Sequence, residues 1–300
     1  MRKPDPALTL PAFARMPRAI MHAPGLFRSP ESAAREDSFE LTHTIEPQDF
    51  HFAGPILGGN DLWVLLGIVS RARLDPRHRP PEGSQLARLR ALAGVRARVQ
   101  LSHAELAATI GLRGNSAPGL IRQSLQRLCR IRLTVVEAGE ALTMPLLRMV
   151  DTSGADAKRT SLTIELCPVL TLALLGEDGR YLRVDMKEVR ALKSNPVRVL
   201  FGRLHWINAG GERSAGLETL ERYIWPDEAP SQDAKRRRRA RLLRVLQELD
   251  KVLRWTTRMI PHTGQVKIRR RDNYDWARRH ADARRAARAR TSSGGGAAPA

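Results

Sequence analysis

Cysteine is almost missing from this chain: Cys129 and Cys167 are the only two in 300 residues. Two thiols so far apart make neither a zinc-ligand cluster nor a disulfide framework, and a reducing, cytoplasmic setting is expected. Cys129 follows Leu125 and Leu128 at helical spacing and is expected as a core thiol. Long apolar runs are missing too. The longest, residues 62–69, is far short of the ~20 residues that a membrane-spanning helix needs. Arg2 and Lys3 have no apolar segment behind them, so no signal peptide is expected. Aromatic residues make up only 5%, which argues against an RNA-binding module built on stacking platforms.

Catalytic signatures are equally scarce. No Gly-x-x-x-x-Gly-Lys-Ser/Thr loop is present, so ATP-driven motor work is not expected. A DNA nickase needs a His-x-His metal pair and a nucleophilic tyrosine. The eight histidines never fall in that spacing, and Tyr181, Tyr223 and Tyr274 sit in strand, helix and tail contexts. His205, beside Trp206, reads as a half-buried helix residue rather than a base. The chain is therefore expected to be neither an enzyme nor a holder of a metal or cofactor.

Acidic residues are the third shortage: 31 Asp and Glu stand against 51 Lys and Arg, a net charge of +20. A field of that sign attracts polyanions. The charge is clustered, with 14 basic and 3 acidic residues in 233–271, or +11. Hydrophobic residues reach 42%, enough for a real core and incompatible with a wholly disordered chain.

The chain divides by composition. Residues 1–37 are rich in Pro, Ala and charge and read as a loosely ordered arm. Residues 75–98 read as a long insertion, a basic hairpin being its expected form, and 151–159 as a polar loop. Residues 272–300 become Arg/Ala-rich and end in Ser-Ser-Gly-Gly-Gly-Ala-Ala-Pro-Ala, a flexible tail.

Between the flanks one supersecondary unit occurs twice, in 38–190 and in 191–271. The first has an apolar helix after Asp61. A helix follows with a capping box of Ser102 and Glu105, and Gly111 and Gly114 punctuate the turn. A helix from Pro118 then carries Ile121, Leu125 and Leu128 on one face, and β-prone residues 132–136 and 141–150 close the unit. The second has a helix opened by Pro196 at its first position, a helix over 217–225 ended by Pro226, a long helix over 233–252, and a hairpin of residues 254–258 and 265–269 around Gly264. A strand (161–166), a short helix (168–175), a strand (181–185) and a linker helix (186–192) join the two. The expected fold is α+β, two tandem winged-helix domains (a helix-turn-helix with a β wing) between flexible basic termini.

Candidate DNA-contacting residues follow from helix and strand periodicity. In the 233–252 helix, Leu242, Leu246, Leu249 and Leu253 share the core face, and Arg237, Arg241 and Arg244 fall opposite, beside Lys235, Arg236, Arg238 and Arg239. Arginine there can reach guanine edges or phosphates. The alternative is a solvated face with an ordinary Arg244–Glu248 pair. In the first unit Arg122, Gln123, Gln126 and Arg127 lie opposite the Ile121/Leu125/Leu128 face, while Asn115 and Ser116 offer helix-terminal amides to phosphate. DNA binding and self-association through this unit stay open. On the last strand alternation puts Lys267, Arg269 and Arg271 on one side with Ile268 turned inward, and these three and Arg270 are assigned to phosphates.

Several blocks resemble a known family. Met21-His-Ala-Pro-Gly-Leu-Phe-Arg28, Phe52-Ala-Gly-Pro-Ile-Leu-Gly-Gly-Asn-Asp-Leu62, Leu182-Arg-Val-Asp-Met-Lys-Glu-Val-Arg-Ala-Leu192 and Tyr223-Ile-Trp-Pro-Asp-Glu-Ala229 with the 235–239 basic run are similar, in order and spacing, to the replication protein C of IncQ-type plasmids. The segment from Val189 to Phe201 is more distantly similar to iteron-binding plasmid initiators. The resemblance implies two winged-helix domains that bind repeated origin sequences (iterons) in double-stranded DNA. It also implies opening of adjacent AT-rich DNA and co-operation with a plasmid helicase and primase. It covers residues 20–271 in scattered blocks and does not reach the 75–98 insertion or the tail. A winged-helix transcriptional repressor at a promoter operator would show the same local chemistry and remains the alternative.

Overall fold

A computed structural model of the chain describes residues 10–29, 38–74, 80–95, 97–150, 161–176 and 181–272. The expected C-terminal tail beyond 272 and the 151–159 loop lie outside these residues.

The N-terminal segment is not a loose arm where it is described. It forms β1 (Phe13–Pro17) and α1 (Arg18–Met21), and Met16, Ile20, Met21, Leu26 and Phe27 are all buried. Every second residue of β1 is apolar and inward, and the strand gains its hydrogen bonds far along the chain, so no local turn signal announces it. A hairpin that periodicity did not single out follows, β2 (Ser38–Ile45) and β3 (Gln48–Pro55). Next comes α2 (Gly59–Arg71), whose residues 62–69 are buried on every side, as a helix apolar all round must be.

The insertion is likewise not a hairpin. After residues 75–79, which are not described, α3 (Gln85–Leu92) forms. Ser84 caps it, accepting from the Ala87 amide at 3.2 Å, and Leu86, Leu89 and Leu92 are buried. Three leucines at a spacing of three are a helical signal that the surrounding arginines obscured. The chain continues through β4 (Arg98–Ser102), α4 (His103–Ile110), α5 (Ala117–Arg130), β5 (Arg132–Glu137), β6 (Glu140–Pro145), β7 (Leu147–Val150), β8 (Ser161–Leu166), α6 (Pro168–Leu175), β9 (Tyr181–Asp185) and α7 (Met186–Ala191). The Ser102/Glu105 capping box is present at the start of α4, and Gly111 closes the helix at φ 75°, where a side chain would be strained. The expected single strand over 141–150 breaks at buried Leu146. Its amide donates to Ile131 O at 2.9 Å and its carbonyl accepts from Cys167 at 3.2 Å, so β6 and β7 enter different sheets. Cys129 is only half-buried.

The second half comprises α8 (Asn195–Leu204), β10 (Glu212–Gly216), α9 (Leu217–Ile224), α10 (Gln232–Asp250), β11 (Trp255–Ile260) and β12 (Gln265–Arg270). All sheets are antiparallel, in the orders β1-β9, β2-β3-β5-β6, β4-β8-β7 and β10-β12-β11. Leu253 is 37% exposed rather than core, because α10 ends three residues earlier. His205 is fully buried rather than half-buried. Its Nδ1 lies 3.0 Å from Phe201 O and its Nε2 3.2 Å from Arg270 Nη2. Burial, with Arg270 nearby, holds the ring well below its usual pKa and therefore neutral.

The two halves meet through α2 and α8. A Cβ on Gly59 would stand 2.4 Å from Asn195 O, and one on Gly202 2.7 Å from Leu62 Cδ2, so both glycines let α2 and α8 close up. Asn195 Oδ1 accepts from the Asn60 amide at 3.1 Å. The Arg198 guanidinium donates to Asn60 Oδ1 and lies 3.2 Å from the Trp63 ring centre. Burial lowers the Arg198 pKa to about 10, opposed by Glu248, so the group stays charged at neutral pH. No helix among the described residues is long and apolar enough to cross a membrane.

Gly59→Ala should therefore force the central helices apart and cost roughly 1–3 kcal/mol, the range for overpacked cores. Gly119→Ala, on α5 with no atom within 4 Å of the added carbon, should be neutral or stabilise by up to ~1 kcal/mol. Urea unfolding of the two variants checks both; equal midpoints would remove the close α2–α8 contact.

Candidate nucleic-acid interface

The most basic element is α10, and its orientation follows from what holds it. Ser231 caps it, accepting from the Ala234 amide at 3.1 Å. Asp233 lies in the first turn, the favourable end of the helix dipole for an acid. Leu242, Val245, Leu246 and Leu249 face the core. Near the far end Glu248 accepts from the amides of Lys193 and Ser194 at 2.8 and 2.9 Å and from Ser194 Oγ at 2.6 Å. The Arg244–Glu248 pair of the alternative reading is not formed. The carboxylate instead caps the start of α8 and ties the end of α10 to the central helix pair.

Within the basic run the side chains divide. Arg238 is 6% exposed and donates to Asp227 O at 2.6 Å, so it anchors the loop before the helix and is not on the outer face. Arg236, Arg237, Arg241 and Arg244 are exposed, as is Lys235, and Arg239 is half-buried. Lys235 stands 3.9 Å from Glu218 and Arg236 3.8 Å from Asp233. These are exposed pairs, individually worth little and easily exchanged for phosphate.

The β10-β12-β11 sheet sorts its cations by alternation. Lys267 and Arg269 are exposed, and Val266, Ile268 and Arg270 are buried. Arg270 was expected on the DNA side but turns inward, donating to Ile207 O at 3.2 Å and standing 4.0 Å from Glu188 Oε2. Arg271 is half-buried. Lys267 pairs with Glu212 at 2.6 Å. Arg258, which periodicity alone did not single out, is exposed and directly opposite Lys267 in the ladder, so both share one face. The signal was available in the hairpin register. Beneath this sheet Arg254 binds Glu188 at 2.7 Å and Asp185 at 3.0 Å, fastening it to α7. Burial raises the Glu188 pKa, and Arg254 and Arg270 oppose that shift.

In the first half, α5 buries Ile121, Ser124, Leu125 and Leu128 and exposes Arg122, Gln123 and Gln126. Asn115 and Ser116 are exposed at its start, and the Ser116 hydroxyl does not cap the helix. Arg127 does not join the exposed group. It makes a two-pronged contact with Asp61 of α2, Nη2 to Oδ1 at 2.8 Å and Nε to Oδ2 at 3.1 Å. Asp61 is 1% exposed and also accepts from the Gly58 amide at 2.7 Å. Arg127, Arg238 and Arg270 are thus committed to the interior. Strand alternation separates Arg270 and helical spacing with Leu242 separates Arg238, whereas Arg127 was not separable from its exposed neighbours without knowing its tertiary partner.

Arg127→Ala would leave the Asp61 carboxylate buried without its counter-charge. Since the arginine side chain is 35% exposed, the cost should fall below the full penalty for a broken buried pair, at about 2 kcal/mol. Arg122→Ala should change stability by no more than ~0.5 kcal/mol. Chemical denaturation of both variants tests the assignment, and a neutral Arg127→Ala would return that residue to the surface.

The chain matches the family model described as Replication protein C (RepC) over residues 12–271. A crystal structure of selenomethionine derivatives of domains 2 and 3 of RctB matches with a TM-score of 0.54 at 16% identity, covering 85% of this chain and 98% of that one. At that identity the likeness speaks to the fold alone, a mixed arrangement of helices and antiparallel sheets. No curated protein matches. With the family match running unbroken from β1 to the residue after β12, the chain belongs to the replication protein C family.

Proposed function

We propose that this chain is a replication initiator that binds repeated origin sequences in double-stranded DNA through two winged-helix units. In this reading it promotes opening of adjacent AT-rich DNA for loading of a plasmid helicase and primase. The observation that carries it is the sidedness of α10. Arg236, Arg237, Arg241 and Arg244 are exposed on a helix whose opposite face is locked into the core. In the second unit the order α8, β10, α9, α10, β11, β12, with β10 and β11 flanking β12, supports a winged helix with α10 as the reading helix and β11–β12 as the wing. In the first, α2, α4, α5 and the β5–β6 hairpin follow the same succession of helices and hairpin, with α3 inserted and β4 pairing with β8 rather than with the hairpin. A helix of this kind fits the major groove with its arginines on guanine edges and phosphates, while a wing runs along the backbone. Lys235, Arg258, Lys267, Arg269 and Arg271 are assigned to phosphate, Arg241 and Arg244 to base edges, and Arg122, Gln123, Gln126, Asn115 and Ser116 to the first unit's contacts.

The test is binding of the full chain to a duplex carrying direct repeats from its own replicon, across a series of salt concentrations. Arg241→Ala should weaken the specific site by roughly 1–3 kcal/mol and relax preference at one position. Arg258→Ala with Arg269→Ala should lower the log–log salt slope by about 1–2 and leave preference intact. Equal affinity for repeats and for random duplex, or tighter binding to a promoter palindrome, would overturn the initiator reading.

A further inference from the structure

The outward crest of α10 is not uniformly cationic. At 100° per residue, the buried residues Arg238, Leu242, Val245 and Leu249 centre on one side, and Ala240, Leu243 and Gln247 fall opposite within an arc of about 60°. All three crest residues are exposed. Leu243 is 40% exposed, unlike Leu242 and Leu246 on either side of the core seam, at 0% and 4%. Arg236 lies within the same arc one turn before Ala240, while Arg237 and Arg244 flank the arc on one side and Arg239 on the other. A single exposed leucine is ordinary on a protein surface. This one lies between Ala240 and Gln247 along the helix, on the Arg239 side of the strip that lies deepest when a helix enters a groove.

Resting on the DNA-binding reading above, we propose that Ala240, Leu243 and Gln247 determine specificity, with Leu243 recognising the C5-methyl group of thymine in the major groove. The chemistry matches in kind. The thymine methyl is the one apolar feature that the major groove displays, and a glutamine amide pairs with the N6 and N7 edge of adenine. Between Ala240 and Gln247 the strip carries two apolar side chains and one amide, which fits T·A-containing sequence, and Arg237 and Arg239 beside it supply affinity that is blind to sequence. Neither the family match nor the charge distribution requires this strip. A helix that bound only phosphate would gain by placing lysine or arginine at position 243.

Thymidine and deoxyuridine differ only by the C5-methyl group, which makes the experiment direct. The full chain is first used to select from a pool of random-sequence duplex. The enriched duplex is then resynthesised with each thymine replaced in turn by deoxyuridine, and binding is measured for the intact chain, Leu243→Ser and Leu243→Met. In the intact chain at least one replacement should weaken binding about 3–5-fold, the effect of one buried methyl group. That effect should vanish in Leu243→Ser and return in Leu243→Met, with thermal midpoints unchanged because the side chain is outside the core. An identical set of methyl effects in the intact chain and in Leu243→Ser would overturn the inference and leave DNA binding intact. So would a change in sedimentation without a change in methyl effects, which would assign Leu243 to contact between copies. If the pool yields no enriched sequence, the DNA-binding reading falls and this inference with it.

Discussion

The contact between α2 and α8 is the constraint on which the rest of the structure depends. Each buries most of its length. They close on one another because Gly59 and Gly202 leave room for Asn195 and Leu62. Asn60, Asn195 and Arg198 hydrogen-bond to one another there. Both candidate reading helices are then braced against this pair by a carboxylate. Asp61 on α2 holds Arg127 on α5, and Glu248 on α10 holds the amides at the start of α8. The geometry between α5 and α10 is thus set by a shared core rather than by a linker, a condition for reading repeats at fixed spacing.

Buried charge does the orienting elsewhere as well. Asp185 and Glu188 on the connector bind Arg254 and approach Arg270 beneath the β11–β12 hairpin. Such clusters add little net stability, because desolvation offsets most of the attraction. What they supply is direction, since a guanidinium with one enclosed partner has one low-energy placement. The surplus positive charge left outside is what gives the molecule its field. Composition fixes the size of that field, and these buried partners decide which side of each element displays it.

Periodicity revealed much of this in advance. The core faces of α5 and α10, the Ser102/Glu105 cap and the connector elements from β8 to α7 all follow from local spacing, which is where short-range physics dominates. β1 and β10 did not, because their ladders pair residues far apart, and the β2–β3 hairpin did not, because its local turn at residues 46–47 lacks a strong turn dipeptide. Arg127 was placed on the wrong side for a related reason. Arginine carries an apolar stem and a charged head, so the pattern of its neighbours does not say whether a carbonyl or carboxylate waits inside. Leu243 went unremarked because a leucine beside the core seam reads as core until its exposure is known.

The central claim is that the outer face of α10, with the β12 side of its hairpin, lies against DNA. Arginine-selective chemical modification of the full chain, mapped by mass spectrometry with and without the bound duplex, tests it at each residue. If α10 lies in the groove, Arg237, Arg241, Arg244 and Arg269 become protected in the complex, while Arg15 and Arg183 on the exposed side of the β1–β9 pair stay as reactive as before. Unchanged reactivity at Arg237, Arg241 and Arg244 in a fully formed complex would contradict it.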